Sequence, residues 1–424
     1  MNLRVVPALV VATGIVAPAA HADPLDEIGF GAAASAMANA RAAVAIGAEA
    51  AHTNPAGIAR ITRPELLAGW QYSHERLELD GHDAGVLDAH GTSLGLAIPF
   101  AVSGLRVATG VALYLPDQYL ARIQLTPVAE PHFVRFATAA HRIVVEPVAA
   151  ISFGNVAIGA GASLLADARS DRLEFDVGLV AGEKQGRANV DIGLPIRAAP
   201  LAGVWYQPHP IVELAATFRG ELSLDLALDI ETDVNVPSVV SGDVDVTLRS
   251  VSYYSPMRVA LAAAVHPRAD LVVTGELAWE RWSALGSGVP DLSVLVALDI
   301  APPLVDTMLP PANFRNIVSP RLGGEWTTGS WRLRAGAAYL PSPVPAQTGI
   351  TSFADGARTV ATLGAGVRIP PNEILLQPID FDFGVGWQHV MHDSVEKDMA
   401  LVPGSAFSYG GNIVQANLTS TVRF

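Results

Sequence analysis

The carboxylates Glu213, Glu221, Glu276, Glu280, Asp380 and Asp382 stand in segments of alternating polarity, where a pair could converge to do acid/base chemistry. The same kind of segment carries Arg106, Arg219, Arg332 and Arg334, so charge pairing accounts for these acids without catalysis. The eleven histidines raise a metal site, and His389-Val390-Met391-His392 holds the closest-spaced pair. Residues three apart on a strand point to opposite faces, so this pair converges only if a turn begins there. A solvated loop histidine is the default, and no metal is expected. Gly364-Ala365-Gly366 has no helix after it to make a phosphate site. Glycines in a strand instead give close packing or room on one side. No nucleophile motif or dinucleotide fingerprint stands in a suitable setting, so neither an enzyme nor a cofactor is expected.

The elements that would position these charges are strands. From Asn412 to Phe424, Val414, Ala416, Leu418, Val422 and Phe424 share one face with Ser420, while Gln415, Asn417, Thr419, Thr421 and Arg423 share the other. That period of two marks a strand between an oily and a polar medium. The pattern recurs in about fourteen segments, an even number, as bacterial single-chain barrels have. They run near 64–79, 90–100, 104–115, 133–153, 155–176, 190–207, 211–229, 243–266, 269–282, 314–328, 330–340, 358–369, 378–390 and 411–424. Between them, tight turns at 101–103, 154, 208–210, 267–268 and 329 alternate with long connections near 80–89, 116–132, 177–189, 230–242, 283–313, 341–357 and 391–410. Short turns on one rim and long loops on the other suit a transmembrane β-barrel better than a sandwich.

Within the strand candidates, Leu105, Val107, Val111, Leu113 and Leu115 alternate with Arg106, Gly110 and Tyr114, and Leu222, Leu224 and Leu226 alternate with Glu221, Ser223 and Asp225. A charge facing mid-bilayer costs about 2–4 kcal/mol for Arg or Lys. The charged sets, Arg106, Arg219, Glu221, Arg332, Arg334 and Asp380 among them, are therefore expected inside.

Composition agrees. Half of the residues are hydrophobic, yet outside the start of the chain they are dispersed rather than gathered in long runs. Without cysteine, neither disulfides nor thiolate metal sites hold the fold. The net charge of −14 argues against nucleic acid, and the two lysines, Lys184 and Lys397, fall in expected loops.

Met1 to Arg4 reads as a positive start, Val5 to Ala19 as an apolar run and Ala20-His21-Ala22 as a cleavage site. The apolar run is too short, and too interrupted by Pro7, Gly14 and Pro18, for a membrane anchor. Residues 1–22 are thus expected to be a signal peptide, 23–61 a compact Ala- and Gly-rich plug, and 62–424 the barrel. Asn54-Pro55-Ala56-Gly57-Ile58-Ala59 is a turn at the joint of plug and wall, Pro fixing φ and Gly giving a free exit.

With Gly29-Phe30-Gly31 and the Ala-rich stretch to His52, this turn resembles the N-terminal hatch of the FadL-like family, outer-membrane long-chain fatty-acid transporters. The resemblance extends through Ser319 to Trp326, Arg334 to Tyr339, Ser342 to Pro345, Trp279 to Ser283 and the terminal strand. It implies an all-β barrel of about fourteen strands with a hatch in the lumen, and an outer-membrane monomer whose partners are a hydrophobic small molecule and membrane lipid. It also implies capture at the outer loops, a hatch-gated pocket and lateral release through the third strand. On that reading Phe30 and Gly31 help close the pocket, and Asn54, Pro55, Ala56 and Gly57 set the hatch turn. Gly110 becomes a weak point in the wall, with Leu113, Tyr114 and Leu115 near the capture groove. The near absence of lysine leaves an arginine to hold a substrate carboxylate, or an uncharged substrate. A diffusion porin and, further off, an outer-membrane lipid-acting enzyme are the alternatives.

Overall fold

The computed structural model describes residues 16–18, 25, 29–117, 125–127, 130–136, 143–166, 169–175, 188–193, 196–236, 240–285, 291–298, 313–349, 351–373, 375–397 and 406–424. The expected signal peptide lies outside them except for Val16–Pro18, which pair with Leu125–Pro127. Lys184 also lies outside them.

Fourteen strands close an antiparallel barrel. We number them β1 Glu65–Leu79, β2 Ala89–Val102, β3 Leu105–Pro116, β4 Val144–Phe153, β5 Val156–Ala166, β6 Ile196–His209, β7 Val212–Arg219, β8 Arg258–Arg268, β9 Leu271–Glu280, β10 Ile317–Thr328, β11 Trp331–Leu340, β12 Arg358–Ile369, β13 Ile379–Val395 and β14 Phe407–Arg423. Each pairs with the next, and β14 returns to β1 from Tyr409↔Leu79 to Arg423↔Glu65. Closure leaves no free edge in the wall, which is what lets strands cross lipid. The short turns bear out the sequence pattern: Ser103 and Gly104 both take positive φ, the backbone that a two-residue hairpin demands.

The outward phase is apolar and ringed by aromatics. Trp70, Phe100, Phe153, Trp326, Trp331, Phe381 and Trp387 are all exposed there, with Leu261, Leu277, Leu322, Leu363 and Leu418 in the band between. Such residues on the outside of a closed barrel define an outer-membrane protein. The inward phase holds Glu213, Arg219, Glu276, Arg321, Arg334, Asp380, Asp382, Gln415 and Asn417, all buried.

Residues 29–61 fill the lumen as short helical turns, Ala32–Ser35, Gly47–Glu49, Ala50–Thr53 and Pro55–Arg60. Alanine and glycine let this hatch lie close against the wall. At Gly159 and Gly336 a Cβ would overlap the hatch backbone at Pro55 and Met37. Gly364 leaves room for the Ala36 methyl of the hatch, while Gly366 leaves room for the Asp382 carboxylate.

Several expected strands are corrected, and candidates 155–176 and 190–207 contribute only Val156–Ala166 and Ile196–His209 to the wall. Candidates 211–229 and 243–266 each leave the wall part-way: the Gly220 N–H still bonds to the Pro200 carbonyl (2.8 Å), but Pro200 has no N–H to carry the ladder further, and Pro256 interrupts the return. Leu222–Val236 and Val240–Ser255 instead form the middle of a five-stranded sheet with Ala188–Gly193, Arg169–Phe175 and Asp291–Leu298. The phase of burial flips at this departure. Glu221, expected inside, is exposed, while Leu222 and Leu224, expected against lipid, are buried in the interior. Candidate 133–153 likewise begins late, at Val144, since His132–Phe133 pair in parallel with Phe353–Ala354 as an outer strap.

That strap closes the outer mouth. Phe133 and Phe136 join Leu77, Val390, Tyr409 and Ile413 in one apolar cluster, and Arg135 is buried against Asp355 (2.9 Å). Burial pushes the His132 imidazole below its ordinary value, against the weaker opposing effect of its hydrogen bond with the Glu130 carbonyl. The sign follows: the closed strap holds His132 neutral, so the opened strap takes up the proton first. Strap stability is full above a histidine's free value of about 6.5 and drains as pH falls through and below it. Protection of the 130–136 amides, corrected for intrinsic exchange, should therefore fall between about pH 7 and 5, and pH-independent protection would refute this.

Candidate functional site

Asn54 anchors the hatch turn. Its amide donates to the carbonyls of Ala42 (2.8 Å) and Val204 of β6 (3.3 Å), while its oxygen accepts from the Ala56 N–H (3.1 Å). Pro55 follows at the first helical position, where a missing N–H costs nothing. Gly57 lies against the Ala45 carbonyl and the Ala50 Cβ, with no room for a side chain. Asn54→Asp keeps the shape but aims an acceptor at two carbonyls. It should destabilise the barrel by about 1–3 kcal/mol, read as a lowered unfolding midpoint in detergent.

On one side of the hatch an apolar cluster gathers Phe30 and Leu25 with Val144, Val148, Leu165 and Leu201 from the wall and Leu222, Leu224 and Tyr253 from the outer hairpin. A mostly polar cavity adjoins it, where Leu25, Phe30 and Ala34 meet Asn39, His52, Thr53, Thr217, Arg219, Arg258 and Glu276. Its free space is about 20 Å³, roughly one probe sphere, so the chamber is shut. Both of its arginines are held by carboxylates. Arg219 donates to Glu146 (2.5 Å) and Arg258 to Glu276 (2.8 Å). Glu146 also meets His52 Nδ1 at 2.7 Å, and the Arg219 guanidinium donates to the His52 carbonyl (3.1 Å). The His52 ring lies 5.5 Å from that of Phe30.

On the other side, toward the short-turn rim, lies a charged cavity of about 260 Å³. Arg41, Arg60, Arg332, Arg334, Arg368 and Arg423 face Glu49, Glu65, Glu213, Glu325, Asp380 and Asp382, equal in number. The pairs are close: Arg41–Glu49 2.7 Å, Arg60–Glu213 2.8 Å, Arg334–Asp382 2.7 Å and Arg368–Asp380 2.8 Å. These carboxylates are thus matched by arginines across the lumen, which suits ion pairing rather than acid/base work.

The remaining expected residues are scattered. Gly31 lies beside Thr419 and Leu67 in the hatch. Tyr114 is buried in the apolar cluster, but Leu113 and Leu115 take the outward phase. Arg106 shares the inward phase but sits at the short-turn rim, exposed rather than in the charge network. Gly110 is paired on both sides, with Ala97 and Val148, and the space where its Cβ would stand is closed by the Leu96 carbonyl and hatch Ile58. The interrupted ladder lies one interface on. Between β4 and β5 the pairs Glu146/Ser163 and Pro147/Ala162 are missing, although the register is the same on either side.

The His389 and His392 rings approach to 6.0 Å because a bulge between Val390 and Asp393 shifts the phase. Among the described residues no third His, Cys, Asp or Glu joins them as a metal-ligating group. Sequence reading missed His52 and Glu146. Pro147 and Pro200, in the middle of strand candidates, were the available signal.

No known family description matches this sequence, and no curated protein does. Solved structures do. A Pseudomonas aeruginosa FadL homologue aligns over 97% of this chain and 99% of its own, with a TM-score of 0.58 and 15% identity. The chain has the FadL fold. The Ralstonia pickettii toluene transporter TbuX covers 93% of this chain and 98% of its own at a TM-score of 0.53 and 16% identity. The P. putida toluene transporter TodX covers the same shares at 0.52 and 14%. In the FadL fold of this chain, the hatch, the closed chamber and the charged cavity are stacked across one barrel.

Proposed function

We propose that this barrel carries hydrophobic small molecules across the outer membrane, and that its preferred solute is uncharged. The observation that carries the reading is the two-sided hatch, with a buried apolar cluster on one side and a lattice of ion pairs on the other. An apolar solute gains about 0.8 kcal/mol per CH₂ buried against that cluster and nothing of the kind among the paired charges. Release sideways into lipid is then favoured over passage along the axis. The toluene transporters of similar fold support a hydrocarbon as solute. So do Arg219 and Arg258, each already matched to a carboxylate, which leaves little call for a fatty-acid headgroup.

On this reading the outer loops capture the solute, Phe30 closes the chamber, and hatch movement opens it. Residues 1–22 are removed on export, 23–61 act as the hatch, and the barrel works as a monomer in outer-membrane lipid. Cells expressing the chain should accumulate radiolabelled toluene at least several-fold faster than they accumulate palmitate. Native mass spectrometry of the purified barrel should release a neutral apolar molecule. Equal or greater palmitate uptake would remove the uncharged-solute reading, and uptake of neither would remove transport. Steady conductance of the full chain without a solute would favour a diffusion porin.

A further inference from the structure

We propose that the outer end of β1 and β2 is a binding site for the phosphorylated sugar headgroup of an outer-leaflet glycolipid, with Arg76 as the phosphate ligand and Trp70 and Tyr72 as the platform beside it. The site rests on the outer-membrane location of the wall and not on what the barrel carries.

The outward phase of β1 begins like the rest of the lipid-facing wall, with Leu66 and Ala68, and then changes character. Trp70, Tyr72, His74 and Arg76 follow on the same face, and His90 of β2 stands opposite Tyr72. Toward β14 and β13 the patch continues through Asn412, paired with Arg76, to His389, whose Nδ1 lies 3.1 Å from the Asn412 side-chain oxygen. Among the described residues, no strand outside β13, β14, β1 and β2 carries a histidine or a charge on its outward phase at the long-loop end. A charge on the lipid side is costly unless something meets it, so this one sector of the wall is made for a polar neighbour. Position says which neighbour. The patch continues the lipid-facing surface past a girdle tryptophan, and what lies beside the wall there is the headgroup layer of the outer leaflet.

The chemistry of the headgroup follows from which groups are engaged and which are free. The Trp70, Tyr72 and His74 rings lie parallel to within 6°, with successive centroids 6.0 and 6.5 Å apart. Their polar edges are tied down. Trp70 Nε1 donates to Asp117 (2.9 Å), the Tyr72 hydroxyl donates to Asp88 (2.6 Å), and His74 Nδ1 lies 2.7 Å from the same carboxylate. Asp117 is also met by His90 Nδ1 at 3.1 Å, so both acids are engaged by ring donors. Arg76 completes the chain. Its Nε donates to His74 Nε2 (3.0 Å), which leaves the ring proton on Nδ1, toward Asp88. One edge of the guanidinium is thereby fixed, and among the described residues no carboxylate pairs with it, Glu78 on the same face included. An exposed guanidinium of set orientation is a fork for two oxygens of a phosphate. Rings with apolar faces and wet edges suit the sugar that carries the phosphate, where a plain phospholipid would use the arginine alone. His74 is a positioning residue, acting on the phosphate through Arg76.

Native mass spectrometry of the full chain in detergent tests the site with three added lipids: lipid A, dephosphorylated lipid A and phosphatidylglycerol. The wild-type barrel should retain lipid A about tenfold more than either of the others. Equal retention of phosphatidylglycerol would remove the sugar platform, and equal retention of the dephosphorylated form would remove the phosphate ligand; either overturns the proposal. A lipid-free dimer of barrels would overturn it too, by making the patch a contact between copies. Arg76→Gln should cut lipid A retention about tenfold, and Arg76→Lys should not restore it, because an ammonium makes no fork. His74→Ala should lose most of the same retention, and His74→Gln, which can still accept from Arg76, should recover part of it. Arg281→Gln, at an exposed arginine just beyond β9, should change nothing. Wild-type retention in an assembled Arg76→Gln barrel would overturn the assignment. The comparison of lipids uses the unaltered chain, so it decides the site even where a variant does not assemble.

Discussion

A chain lacking residues 23–57 should conduct ions steadily in a planar bilayer, where the full chain does not. The hatch fills the lumen at the level of β4 to β6 and of β11 to β13, its backbone pressed on Gly159 and Gly336 and its Asn54 bonded to Val204. The barrel is closed by β14 on β1, and at Gly159, Gly336 and Gly364 the wall beneath the hatch carries no side chain that could take its place. Fourteen strands are close to the 16–18 that leave an aqueous channel in porins. The exposed lining would be the paired arginines and carboxylates, which water solvates readily. The rise in conductance should be on the order of tenfold or more over the full chain, given that lumen. A deleted barrel that assembles and stays silent would mean that the outer strap, not the hatch, is the seal.

Asp355→Ala should free the outer strap. Arg135 is 3% exposed and its carboxylate partner 1%, and Asp355 also accepts from the Ser342 hydroxyl at 2.8 Å. Removing one partner of a buried pair leaves an unmatched charge, at a cost of about 3–5 kcal/mol. The chain can avoid that cost by lifting 130–136 into water, because this segment is held by a two-residue parallel pairing and the Phe133 and Phe136 contacts. The effect should therefore be local. Exchange at 130–136 and 353–355 should rise by orders of magnitude, and protease should cut there, while the unfolding midpoint of the wall stays. A global loss of stability with an unaltered strap would contradict this.

The wall was legible because each of its strands must satisfy lipid on one face and the lumen on the other. The run from Val414 to Phe424, Ser420 apart, and the set Arg332, Arg334, Asp380 and Asp382 obey that rule, and the structure places them accordingly. The rule ends where the membrane ends. Leu222 and Leu224 continue the β7 alternation in sequence, but past Gly220 the strand belongs to a hairpin outside the wall, so the same residues pack into an apolar cluster instead of facing lipid. Arg106 follows the alternation too, but the hatch does not reach its end of β3. The His52–Glu146–Arg219 cluster was hidden for another reason. His52, Glu146 and Arg219 lie on three elements that only closure brings together, with 94 positions between the first two. No local spacing announces such a meeting.

The hatch is made first and yet cannot be seated first. Its Ala32 N–H donates to the Thr419 hydroxyl at 2.8 Å, and its Ser35 hydroxyl accepts from Asn417 at 2.6 Å, both on the final strand. The arginine that bonds Glu65, where the wall begins, is Arg423 of that same strand. During biogenesis the leading segment must therefore wait, unanchored, until the trailing strand arrives, so insertion and corking are completed in one event rather than two.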